Sequence, residues 1–126
     1  DALDIDAALE KMLIDDSKSL VSVCQAEDQH PCFMFEINNE EKLVTWSGDK
    51  FVPVRRQDIE KAFYLDGSVY ISDVETFLKL ETFCHDDTSA YVVPKWKAYE
   101  IDDIWDFLTV EAIMKYKQIK PEAFCE

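Results

Sequence analysis

The stretch SLVSVC, Ser19 to Cys24, constrains this chain most. It is a β-branched run with the length of a strand buried on both faces. Immediately before it, Ile5, Ala8, Leu9, Met12 and Leu13 recur at the i, i+3, i+4, i+7, i+8 positions of a helix, with Asp4 placed to cap it. A helix feeding a buried strand is the step from which α/β domains are built, so Ile5 to Leu13 are expected to face a core.

The later segments repeat the alternation. FMFEINNEEKLVTW reads as a hairpin around Asn38-Asn39, residues that tolerate left-handed turn geometry. AFYLDGSVYIS carries aromatic and β-branched residues on both sides of Asp66-Gly67, which predicts a strand near Ser68 to Ile71. Asp73 is expected to cap the short helix VETFLKL, and AYVVP is a short strand stopped by Pro94. The last helix is predicted from about Asp103 to Tyr116, with Ile104, Trp105, Phe107, Leu108, Ala112 and Ile113 inward and Lys115 and Lys117 near its negative end. The fold class expected is therefore α/β: a layered, mostly parallel sheet in a single domain spanning residues 1–126.

Composition excludes several partners. With 13 basic and 27 acidic residues and a net charge of -14, the chain lacks the clustered cations that hold a nucleic-acid backbone or an anionic membrane. No window of about 18 residues is apolar enough for a membrane span, and no signal peptide is recognisable at the amino terminus. The chain begins at Asp1 rather than Met, from which a removed beginning is expected. Cys24, Cys32, Cys84 and Cys125 are unevenly spaced without a CxxC pair, which fits reduced cysteines in a cytoplasmic protein. Cys84-His85-Asp86-Asp87 mixes ligand types, but consecutive residues rarely converge on one ion.

Chemistry concentrates in AYEIDDIWDF, Ala98 to Phe107. Glu100 and Asp102 are two apart, so extended backbone would point both carboxylates to one face, where they could reach a hard cation. The stretch lies at the end of a strand and the beginning of a helix, where α/β folds gather ligands. Taken alone, such an acidic junction is more often a cap than a metal site, and Asp103 and Asp106 look structural. Arg55-Arg56-Gln57 is a second polar cluster, either a solvated loop or a bidentate grip on a carboxylate or phosphate. Tyr70 either offers its hydroxyl to a ligand or packs its ring in a strand. Lys95 and Lys97 could approach a phosphate.

In order, RRQDIEKAFYLDGSVYISDVETFL and YVVPKWKAYEIDDIWDF resemble the carboxyl-terminal half of the acylneuraminate cytidylyltransferases, the CMP-sialic acid synthetases. The family shows an R-Q motif, then N-G-x-x-Y-I-x-D, then D-I-D before an acidic helix start. IDAALEKML, SLVSV and HPCFMFEI also look like its middle segment, so the resemblance covers nearly the whole chain.

That resemblance implies a nucleotide-diphospho-sugar transferase-like, Rossmann-like fold, seen as a partial domain, with a projecting segment at about residues 51–93 that packs against a second subunit in a homodimer. It implies transfer of CMP from CTP to a nonulosonic, sialic-acid-like sugar with release of pyrophosphate and with Mg2+ as cofactor. Glu100 and Asp102 fall on the acidic pair that holds the metal, Glu100 standing where the family commonly has Asp. Arg56 and Gln57 fall on the R-Q motif, and Tyr70 and Phe83 fall on positions of the sugar pocket. Asp66 replaces the motif Asn. YEIDD is more like relatives that activate bacterial analogues such as legionaminic or pseudaminic acid, for cell-surface glycans. The family's Gly-, Arg- and Lys-containing phosphate loop has no counterpart in a chain whose only glycines are Gly48 and Gly67, so little or no turnover is expected of the chain alone. The reading from a different class is a non-catalytic binding or dimerisation module that keeps the fold without the CTP loop.

Overall fold

A computed structural model describes residues 2–27, 29–48, 55 and 58–124. The chain forms two compact units, one made of Asp1–Cys24 and Leu65–Glu126, the other of Gln25–Tyr64.

In the first unit, helix α1 (Ala2–Ile14) leads into strand β1 (Ser19–Gln25), which is the centre of a three-stranded sheet. On one side β1 pairs in parallel with β5 (Thr88–Val92), Ser19 opposite Thr88 and Val23 opposite Val92. On the other lies β4 (Phe63–Ser72), joined partly through serine hydroxyls. Ser19 Oγ meets Ser72 Oγ at 2.7 Å, and Ser22 Oγ accepts the Val69 N–H at 2.8 Å. Numbers that rise along β1 fall along β4, so this pairing is antiparallel and the sheet is mixed. The α/β class stands, with a parallel crossover between β1 and β5.

Burial explains why β1 dominates. Every residue from Ser19 to Cys24 is buried, and Leu20 packs with Ala8, Met12 and Val69. Two buried serines are tolerated there because each hydroxyl is hydrogen-bonded.

Helix α1 departs from its expected packing. Of the five residues on its apolar stripe only Ala8 and Met12 are buried; Ile5, Leu9 and Leu13 are exposed, Leu13 at 72%. Periodicity specifies which residues share a face, whereas the sheet beneath covers only the centre of that face. Nor does Asp4 cap the helix. It lies inside the first turn, where its carboxylate takes Lys97 Nζ at 2.7 and 2.8 Å and the Tyr91 hydroxyl at 3.2 Å. Partial burial pushes the Asp4 carboxyl up, but the hydrogen bond and charge of Lys97, with Tyr91, outweigh it, and the pKa lies below the ordinary carboxylate value.

Helix α2 (Val74–Leu80) behaves as local chemistry dictates. Asp73 Oδ1 accepts the Thr76 N–H at 3.0 Å, and Glu81 ends the helix in left-handed geometry at φ 54°. The backbone N–H of Thr76 holds the Asp73 carboxyl below its ordinary pKa. Helix α3 (Ile104–Ile119) follows a 3₁₀ turn at Lys95–Lys97. Of the residues expected inward, Ile113 is half-buried, whereas Ile104, Phe107, Leu108 and Ala112 are exposed and Trp105 is 73% exposed. At its far end Tyr116 and Trp96 meet Phe124 of the closing 3₁₀ turn (Pro121–Phe124), with ring centroids 6.1 and 4.9 Å away.

The second unit contains a 3₁₀ turn at Pro31–Phe33 and a hairpin of β2 (Phe35–Ile37) and β3 (Leu43–Thr45), paired Phe35 to Thr45 and Ile37 to Leu43. The hairpin lies where it was expected, but its turn works differently. Asn38 Oδ1 accepts the N–H groups of Glu40 at 3.0 Å and Lys42 at 2.9 Å, so Asn38 acts as an acceptor. The left-handed residue is Glu41, at φ 59°. His30 ties this unit together: Nδ1 accepts the Cys32 N–H at 3.2 Å, and Nε2 lies 2.9 Å from the Glu60 carbonyl. Among the described residues no helix is long and apolar enough to cross a membrane.

Candidate active site

The acidic junction resolves into two pairs with different work. Asp103 Oδ1 accepts the N–H groups of Trp105 at 2.7 Å and Asp106 at 3.1 Å. Asp106 Oδ2 returns the favour to the backbone, accepting from Asp102 and Asp103, each at 3.1 Å. This is a capping box that satisfies the orphan donors of α3. Asp103→Ala should therefore lower stability by about 0.5–2 kcal/mol in chemical denaturation. Ligand binding by the chain should not change, because Asp103 and Asp106 are engaged in the cap; a change in binding with no change in stability would contradict this division.

Glu100 and Asp102 take no part in the box with their carboxylates. Glu100 lies across β4: its Oε1 is 1.7 Å from where a Cβ at Gly67 would stand. Gly67 has φ +76°, a conformation that glycine adopts without steric cost. Asp102 sits at the entry to α3, exposed, with its N–H held by Asp106.

Strand β4 supplies the neighbouring groups. Asp66 is 3% exposed; its Oδ2 accepts the Ser68 hydroxyl, and its Oδ1 has no partner among the described residues. Ser68 Oγ is in turn 3.2 Å from Ser22 Oγ. A buried carboxylate oxygen without a donor is costly to stability. The arrangement was partly legible in DGS, since Asp66 and Ser68 are two apart on one strand face. The burial was not.

Tyr70 and Phe83 come together. Their ring centroids are 5.4 Å apart at a tilt of 56°, and Phe77 of α2 lies 4.7 Å from Phe83. Tyr70 remains 41% exposed, so the cluster presents an open aromatic surface. Sequence reasoning missed Phe77, whose place depends on the turn between α2 and β5. Arg56 and Gln57 lie outside the described residues.

Three further side chains have structural partners. Lys97 is committed to Asp4, and its Nζ and that of Lys117 lie 5.2 and 4.5 Å from the Trp96 ring centroid. His85 Nε2 is 2.9 Å from Ser19 Oγ. A hollow of about 690 Å³ opens beside Trp96, with Ile5, Val69, Val93 and Met114 among its walls.

Among curated proteins, the chain is 31% identical over 107 residues to an N-acylneuraminate cytidylyltransferase of Streptococcus agalactiae serotype V. It is 30% identical, over the same length, to the enzymes of that name from serotypes III and Ia. The match covers 84% of this chain and 25% of each relative, so the chain spans about a quarter of their length. No protein-family model matches it.

Proposed function

We propose that the chain, 30–31% identical to N-acylneuraminate cytidylyltransferases over 84% of its own length, is the sugar-binding and metal-holding portion of such an enzyme. The reaction of the whole enzyme is transfer of CMP from CTP to a nonulosonic acid: the anomeric hydroxyl attacks the α-phosphorus and pyrophosphate leaves. The similarity over 107 residues carries this reading, and the aromatic surface that exposed Tyr70 of β4 forms with Phe83, beyond α2, supports it.

Each side chain then has a role. Tyr70 and Phe83 form one wall of the sugar pocket, and Arg56 and Gln57 bind anionic groups of the substrates. Glu100 and Asp102 hold Mg2+. Their hard oxygen donors suit that ion. A two-carboxylate site suits magnesium, which keeps waters and phosphate oxygens in the rest of its octahedron. When bound, the ion would neutralise charge on the phosphates. Span 51–93 forms the contact of a cytoplasmic homodimer, and YEIDD points to a bacterial analogue such as legionaminic acid as the sugar.

The test is titration of the chain with a panel of nonulosonic acids, followed calorimetrically. One sugar should bind saturably, and Tyr70→Ala should weaken it about tenfold, the equivalent of ~1.4 kcal/mol. No binding by any member, or binding indifferent to Tyr70, overturns the reading. The reading from a different class is a non-catalytic binding or dimerisation module. CTP-dependent pyrophosphate release by a form of the chain extended to the length of its relatives separates the two.

A further inference from the structure

Gly67 and Glu100 stand on different elements of one unit, Gly67 in β4 and Glu100 between the Lys95–Lys97 turn and α3. A Cβ at Gly67 would lie 1.7 Å from Glu100 Oε1, 2.9 Å from Cδ and 3.7 Å from Cγ. The glutamate arm therefore fills the volume that any other residue at position 67 would need. The backbone there has φ +76°, so the strand turns a bare Cα toward the acid in a conformation that other residues rarely adopt. What would collide is the far end of a flexible side chain, so an added methyl displaces the carboxylate before it displaces the strand.

We propose that Gly67 is a positioning residue: its missing side chain is the seat that holds the Glu100 carboxylate in place as a metal ligand. The proposal rests on the reading of Glu100 given above and deepens it. A glutamate has one more rotatable bond than the aspartate common at this position. A seat that restrains the arm reduces the ordering that binding would otherwise require. Supports of this kind are valued in metal sites at about 10- to 100-fold in affinity.

Two measurements test it. The first is free of metal: nuclear Overhauser contacts between the Gly67 α-protons and the Glu100 γ-protons should be present in the unaltered chain, and their absence overturns the proposal. The second is Mn2+ binding by the chain, read from the free-ion electron paramagnetic resonance signal, in a cycle of Gly67→Ala and Glu100→Ala. Each single variant should weaken Mn2+ about tenfold, and Gly67→Ala should add nothing in the Glu100→Ala background. If Glu100→Ala weakens binding but Gly67→Ala does not, or if the two losses add, the positioning role fails and the ligand role survives. If Glu100→Ala leaves binding unchanged, or the unaltered chain binds no Mn2+, the ligand role fails and the positioning role with it. Circular dichroism shows whether Gly67→Ala folds. If it does not, Gly67→Asn, which tolerates left-handed backbone but still adds a Cβ, takes its place in the same cycle with the same expectations.

Discussion

Leu20→Ala is expected to lower stability by about 2–5 kcal/mol, the range for removing a fully buried leucine from a core that cannot collapse around the gap. Leu20 has no exposed surface, sits on the central strand, and is enclosed by Ala8, Met12 and Val69. Those neighbours come from α1 and β4, so the cavity would open between elements pinned by their own hydrogen bonds. Against a typical domain stability of about 5–15 kcal/mol, this is a large share. Leu13→Ala is the matched control: at 72% exposure its loss should stay within about 0.5 kcal/mol. Chemical denaturation of both variants checks the pair. Equal losses would mean that α1 presents a different face to the sheet.

Glu100→Ala is expected to cost a form of the chain extended to the length of its relatives about 100-fold or more in pyrophosphate release. The metal in phosphoryl transfer supplies several kcal/mol of charge stabilisation, and each ~1.4 kcal/mol is tenfold in rate. Asp102→Ala should produce a loss of the same order, whereas Asp103→Ala should lower stability and leave the rate constant of the folded enzyme unchanged. Raising Mg2+ should recover part of the Glu100→Ala loss, because a weakened site fills by mass action. Rates insensitive to Glu100 would remove that residue from the metal site, whereas no pyrophosphate release by the extended chain would favour a non-catalytic module.

The four acids of the junction show how far residues alone can be read. Asp103 and Asp106 were legible as structural because capping is local: acceptor and donors lie within one turn of the same helix. The same holds for Asp73 and α2. Glu100 is different, since its resting place depends on Gly67, far away in sequence. Asp66 carries no mark in the sequence that separates it from other acids in turns, yet it is buried with one hydroxyl partner. Only the pairing of β4 with β1, which brings Ser22 beside Ser68, explains that environment.

The sequence by itself determined the order of elements, the buried strand, the two capped helices and the family likeness, because each depends on periodicity, local hydrogen bonding or motif order. The tertiary structure decided which of the apolar residues are covered. It buried Ala8 and Met12 but left Leu13 and Trp105 exposed, and it drew Asp4 away from a capping role to meet Lys97. The physical reason is one of range. A helical stripe or a strand alternation states which side chains point together, but burial, ion pairing and the seating of a carboxylate on a glycine require a second element, and its distance and angle are set by packing across the fold.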